Sequence, residues 1–368
     1  MNEEKLNYLE AIFLIVIVMI THIILEFPNV IIKDCGTSSF INIIFITILV
    51  SLFFIFICKL FSPFGGNNIL AISEYVGGKK LKKCTSIIYC SYLLFISSVV
   101  IRNFCENLKI VYFPNANLLM LIGAFILTAV IVNKFSSGSI VKANTLLVPL
   151  ILLTMIVVFV FSIKQASISR FLPILGNGLN KTFLKGILNI YSFGGLIYMY
   201  LIISDLKNIQ DLKKVGLTSI IFSASYLLLS VSSLLTLFPF LVKGSNVLSV
   251  YLSTRTIRLG KFLPRIDTIF MFIWIFNFLL YLSIIIYYVK KIATETFSVK
   301  NKSSLLYFTA FIIFVASLLV QNSLQTYFLE NTVYKYFALL VVFIYSPAIL
   351  IIGYVKKNKE LKKAKVEI

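Results

Sequence analysis

The chain contains a single histidine, His22, one helical turn before Glu26 in the first long apolar run, LEAIFLIVIVMITHIILEFPNVII, from Leu9 to Ile32. On a helix, i,i+4 spacing puts the imidazole and the carboxylate on one face. There they can contact a polar ligand or satisfy each other. Ionisable groups at membrane depth are costly, so they face a protein interior or an aqueous cavity. With Leu9 at the inner edge and a rise of about 1.5 Å per residue, His22 sits roughly 20 Å along the helix. Glu26 sits roughly 26 Å along a core of about 30 Å, near the outer boundary. The first run is therefore the leading candidate for a binding site. The plainer alternative is a histidine donating to a neighbouring carbonyl.

Few other residues suggest chemistry. One histidine excludes a multi-histidine metal centre, and the acidic residues are scattered singly, so neither a metal nor another cofactor is expected. There is no P-loop, GxSxG or GxGxxG, and an enzyme is not expected. Cys35, Cys58, Cys84, Cys90 and Cys105 lack paired spacing and read as reduced packing residues.

The elements that must position His22 are membrane helices. Of 368 residues, 59% are hydrophobic and 13% charged, with a mean hydropathy of +0.98, where a soluble domain is about a quarter charged. Ten apolar runs are long enough to span a bilayer: about 9–32, 38–60, 84–105, 117–133, 140–162, 185–204, 215–238, 266–289, 304–321 and 335–355. The gaps are too short for a soluble domain, so residues 1–368 are expected to form one polytopic membrane domain. The first run is too long for a cleaved signal.

Net charge is +20, yet its distribution argues against nucleic acid. With both termini cytoplasmic, the larger share of basic residues falls inside, and the lysine-rich tail 356–368 suits anionic lipid. All five arginines (Arg102, Arg170, Arg255, Arg258, Arg265) fall on outside segments. Their rigid forks suit carboxylates. Arg102 and Glu106 stand at i,i+4 spacing, where an ion pair is expected.

Ten spans divide into two sets of five, about 9–162 and 185–355, and the odd count inverts the second set. Inverted repeats build many secondary transporters, with sites at broken helices in matching positions. Span 1 then matches span 6, whose centre is Ser192-Phe193-Gly194-Gly195. Paired glycines weaken a helix and admit close approach of a ligand; close packing of helices is the other account. The expected architecture is an all-α integral membrane protein with spans 1 and 6 broken. Segment 62–83 reads as a short interfacial helix, and 165–185 as an ordered loop.

Several motifs resemble the B subunit of bacterial spore germinant receptors, in the spore-permease branch of the amino acid–polyamine–organocation transporter superfamily. Pro28 followed by Lys33-Asp34-Cys35-Gly36 is similar to the family's proline and acidic–small–glycine step. Arg102, Phe104 and Glu106 match its Arg-x-Phe-x-Glu pattern, and Leu172-Pro173 through Gly178 its Leu-Pro…Gly segment. Phe193 matches its Ser-Phe element. The most specific stretch runs from Gly260 to Asp267, with Arg265, then Phe270 and Trp274. Span 1 has Thr21-His22 where the family has a glycine.

The resemblance implies a non-enzymatic nutrient sensor of the spore inner membrane. It would bind a small germinant, often an amino acid, and signal with an A subunit and a lipoprotein C subunit. An active amino-acid permease would need the same pocket. The expected ligand contacts are Thr21, His22 and Ile23 in span 1 and Ser192, Phe193, Gly194 and Gly195 in span 6. Tyr92 and Phe95 of span 3, with Trp274 and Asn277 of span 8, are expected to form the walls. Pro28, Arg102, Glu106, Gly260, Arg265 and Asp267 are expected in structural or coupling roles.

Overall fold

The computed structural model describes residues 5–25, 27–135, 137–163, 171–237, 254, 266–297, 299 and 301–366. The described chain is helical apart from one isolated bridge between Leu6 and Leu206. We label the helices α1 (Tyr8–Leu25), α2 (Phe27–Cys35), α3 (Ser39–Phe61), α4 (Ile69–Val111), α5 (Leu118–Val132), α6 (Ser137–Ile163), α7 (Asn180–Asp205), α8 (Leu212–Leu237), α9 (Ile266–Phe297), α10 (Lys302–Leu319) and α11 (Ser323–Lys363). By length and composition, eight described helices can cross a membrane, and Tyr8–Ile24 and Leu118–Val132 are shorter apolar helices.

Burial sorts helices that composition cannot. The most apolar window of α7 is 83% buried, whereas those of α6 and α10 are 28% buried. Helix α1 is equally enclosed: residues from Ala11 to Ile24, apart from Phe13, are buried, against α6, α7, α8 and α9. A helix that is apolar all round suits such a place because every face meets protein. The outer helices turn Ile48, Leu52, Leu146, Phe308 and Phe311 outward, as lipid-facing helices do.

Local chemistry marks the helix ends. Pro28 lies in the first turn of α2, where its missing N–H needs no partner. Asn68, Asn117, Asn301 and Asn322 each accept a backbone N–H in the first turn of the helix that follows. Gly77 and Gly78 interrupt α4, Gly78 with φ of 70°, separating a short helix from the long one. That short helix falls inside segment 62–83. Thr21 and His22, expected at an interruption of the first span, lie within the continuous helix from Tyr8 to Leu25.

Two tethers hold the ends of the central helices. Leu6 donates to the Asp205 carbonyl at 2.7 Å and accepts from Lys207 at 3.0 Å, tying the N-terminal segment to the end of α7. Lys291 of α9 pairs with Asp205 there. At the opposite end, loop 171–179 grips the junction of α2 and α3. Asn177 donates its backbone N–H to Cys35 at 2.9 Å and its amide to Asp34 at 3.0 Å. Gly176, with φ of +50°, lies against the Cys35 carbonyl and Ser38, where a side chain would collide.

Candidate functional site

His22 enters the middle of the bundle from α1 and is only 7% exposed. Its Nε2 lies 3.0 Å from the Tyr281 hydroxyl of α9. Its ring stacks on Tyr334 of α11 at 5.5 Å and on Phe27 of α2 at 5.8 Å, and meets Tyr281 edge-on at 5.3 Å. Each such pair contributes roughly 0.5–1.5 kcal/mol beyond burial. Four helices thus fix one imidazole, which accounts for a polar ring in an apolar core. Beside it, Asn277 donates to the Thr21 hydroxyl at 2.9 Å, and Thr21 donates to the Ile17 carbonyl at 2.8 Å.

Helix α7 closes the other side. Residues Gly186–Tyr198 wind tightly with 3-10 geometry, and Phe193 leaves the helical region at φ −94°, ψ 21°. The Gly194 carbonyl then faces the Tyr92 hydroxyl of α4 at 3.4 Å, and Tyr92 reaches Tyr334 at 3.3 Å. A Cβ on Gly194 would overlap the Tyr334 hydroxyl, and one on Gly195 would stand 2.8 Å from Met19. The glycine pair therefore lets backbone come within reach of a tyrosine pair and of α1.

A cavity with room for about one water molecule lies at this meeting point. It is lined by the polar-bearing residues His22, Tyr92, Tyr198, Tyr281 and Tyr334, by Gly194 and Gly195, and by apolar side chains among which are Val18 and Ile285. No Lys, Arg, Asp or Glu lines it among the described residues.

Of the expected contacts, the structure brings His22, Tyr92, Gly194 and Gly195 to the cavity. Thr21 and Asn277 bond to each other without lining it, and the rest lie elsewhere. Trp274 packs on Phe104 at 5.6 Å and Phe270 at 5.9 Å, about two turns along α9 from the cavity-lining Tyr281. Phe95 faces away onto Phe337 at 6.1 Å. Ser192 donates to the Asn189 carbonyl in its own helix at 2.7 Å. Ile23 and Phe193 are buried without lining the cavity.

Among the structural candidates, Arg102 pairs with Glu106 at 2.6 Å and donates to the Gln321 carbonyl at 3.1 Å, joining α4 to the start of α11. Asp267 is buried in the first turn of α9, and its carbonyl accepts from Tyr112 at 3.3 Å. Gly260, Arg265 and Glu26, like Arg170, Arg255 and Arg258, lie outside the described residues.

Sequence reasoning missed Phe27, Tyr191, Tyr198, Tyr281 and Tyr334. Helical spacing held a signal for two of them, since Tyr281 follows Asn277 and Tyr198 follows Gly194 by one turn. Tyr334 falls just before the tenth apolar run as drawn. So does Glu330, which is buried and accepts from Asn103 at 2.8 Å. No group of three His, Cys, Asp or Glu side chains can hold a metal among the described residues.

Residues 5–326 match the spore permease family, described as "Spore germination protein". The chain belongs to that family. It is 24% identical over 360 residues to spore germination protein GerQB of Bacillus cereus, covering 95% of this chain and 96% of the relative. It is 23% identical over 298 residues to spore germination protein KB of Bacillus subtilis strain 168, covering 79% of each. Among solved structures, a Na+-coupled sialic acid symporter in a substrate-bound outward-open state superposes with a TM-score of 0.62 at 10% identity. That match covers 94% of this chain and 77% of the symporter. Mhp1 in an inward-facing conformation superposes with 0.57 at 13% identity, covering 96% and 76%. The fold is that of these transporters, and the apolar helices make the chain an integral membrane protein.

Proposed function

We propose that this chain is the nutrient-binding membrane subunit of a spore germinant receptor and that its ligand is an amino acid. The observation that carries the reading is the meeting of α1, α4, α7, α9 and α11 at His22 around a glycine-opened stretch of α7, where a water-sized cavity must widen to admit a ligand. A ligand there touches several helices at once. It can therefore favour one packing of the bundle over another, provided it binds the two unequally. In this reading residues 1–368 form one domain of ten spans in two inverted repeats, about 9–162 and 185–355. Both termini are cytoplasmic, the membrane is the spore inner membrane, and an A subunit and a lipoprotein C subunit read the shift. No chemical step is needed. In this reading His22, Tyr92, Gly194 and Gly195 touch the ligand, and the bonded pair Thr21 and Asn277 stands behind them. Arg102, Glu106 and Asp267 hold the outer ends of the helices in place.

The test is a thermal-shift titration of the purified full chain with a panel of single amino acids. Saturable stabilisation by one or a few of them supports the reading, and none across the panel in the assembled receptor overturns it. An active permease is the second reading, favoured by the likeness to solved transporters. Accumulation of the stabilising amino acid in proteoliposomes holding this chain alone selects the permease; stabilisation without uptake selects the receptor.

A further inference from the structure

We infer that the chain carries a second small-molecule site, apart from His22, and that it takes a short-chain monocarboxylate. The site is a cavity of about 120 Å³ at the end of the bundle where Leu6 is tied to Asp205 and Lys207. Lys5, Leu14 of α1, Asp205 of α7 and Tyr288 of α9 are among the residues that line it. No residue lines both this cavity and the water-sized one at His22. Tyr198 of that cavity packs edge-on against Tyr288 of this one at 5.1 Å. The inference therefore stands whether or not the His22 cavity widens for a nutrient.

Size, charge and lining choose the ligand. An apolar cavity of about 150 Å³ accommodates benzene, so this one suits a molecule of about five or six heavy atoms. The charged residues in its lining are Lys5 and Asp205. The Asp205 carboxylate is already met by Lys291 of α9 and by the Ser204 hydroxyl. Lys5 has no ion pair among the described residues. Two cations against one carboxylate leave one positive charge in excess, and that field favours an anion. Half of the ten lining residues are Leu, Ile or Val. They favour an anion with a hydrocarbon tail to bury over a bare inorganic one.

The test is ligand-observed NMR on the full-length chain in nanodiscs, with protein-free nanodiscs as the blank. Butyrate, butan-1-ol and butylamine are the matched probes, and inorganic phosphate is the competitor that has charge without a tail. We expect saturable binding of butyrate that weakens as salt is added, with the alcohol, the amine and phosphate all binding more weakly. Lys5 is exposed, so solvent screens part of its pull. Lys5→Gln should therefore weaken butyrate binding about fivefold, whereas Lys302→Gln, at the exposed start of α10, should not change it. Val141→Phe, which adds a ring to the lining, should abolish binding. Unchanged affinity in Lys5→Gln overturns the charge assignment, and unchanged affinity in Val141→Phe overturns the placement in this cavity. The unaltered chain decides the ligand class even if both variants fail to fold. No saturable binding of butyrate, or equally tight binding of the alcohol, the amine or phosphate, overturns it.

Discussion

Replacing Gly194 with alanine tests whether close approach is the reason for the glycine. The added Cβ would overlap the Tyr334 hydroxyl and stand 2.9 Å from the Tyr92 hydroxyl and 3.3 Å from Tyr334 Cζ. Tyr334 cannot simply swing aside, because its ring is stacked on His22 at 5.5 Å and packed on Tyr191 at 6.0 Å. Overpacking of this kind costs about 1–3 kcal/mol. Parting the Tyr92 hydroxyl from the Gly194 carbonyl adds about 1 kcal/mol. The sum, about 2–4 kcal/mol, is set against a helix-propensity gain of about 1 kcal/mol for Gly→Ala. Net destabilisation is therefore about 1–3 kcal/mol; borne wholly by the nutrient-binding packing, it shifts the nutrient half-response by about 5-fold to 140-fold, since each 1.4 kcal/mol is a factor of ten. Gly123→Ala is the control. Its Cβ meets only Phe314, at 3.8 Å, so the propensity gain is unopposed. Thermal unfolding of both purified variants and germination dose–response of spores carrying each make the comparison. Gly194→Ala melting with or above the unaltered chain, with an unchanged dose–response, would refute the packing argument.

Three further outcomes follow from the same contacts. Tyr281→Phe removes the hydroxyl 3.0 Å from His22 Nε2, leaving a buried ring nitrogen unpaired. It should lose about 1–3 kcal/mol in denaturant unfolding, whereas Tyr307→Phe, on the exposed face of α10, should be near neutral. Arg102→Lys cannot hold Glu106 and the Gln321 carbonyl together; it should lose about 1 kcal/mol and raise hydrogen exchange at the start of α11. Gly176→Ala places a Cβ against the Cys35 carbonyl and Ser38 at a positive φ. It should lower the melting temperature and expose loop 171–179 to protease, while Gly65→Ala, with nothing near its Cβ, should leave that loop protected.

Much of the helical content was legible because long apolar runs are local features. The ion pair of Arg102 and Glu106 was legible for the same reason, since i,i+4 spacing suffices. The partners of His22 were not. Glu26 is the nearest ionisable residue in sequence, yet the imidazole meets Tyr281, 259 positions away. The tenth run was drawn from residue 335 because Glu330, Asn331 and Thr332 look like loop. In the bundle α11 begins at Ser323, and Asn103 supplies the hydrogen bond that lets Glu330 be buried. Trp274 and Asn277 are both buried on α9 and, three residues apart, lie on neighbouring parts of one face about 4.5 Å apart along the axis. One packs on Phe104 while the other reaches Thr21.

Composition and periodicity alone determined that this chain lives in a membrane as an all-helical bundle. They also showed that its one histidine and its paired glycines are the exceptions to be explained, because each is costly where it stands. Which helices lie at the centre was left to the tertiary structure, since α1, α6 and α10 are all apolar and differ mainly in what surrounds them. The tertiary structure alone also decided that tyrosines from α4, α7, α9 and α11 converge on His22. Hydroxyls and rings from four distant segments share one small volume only when the whole bundle is packed, and no local pattern encodes that meeting.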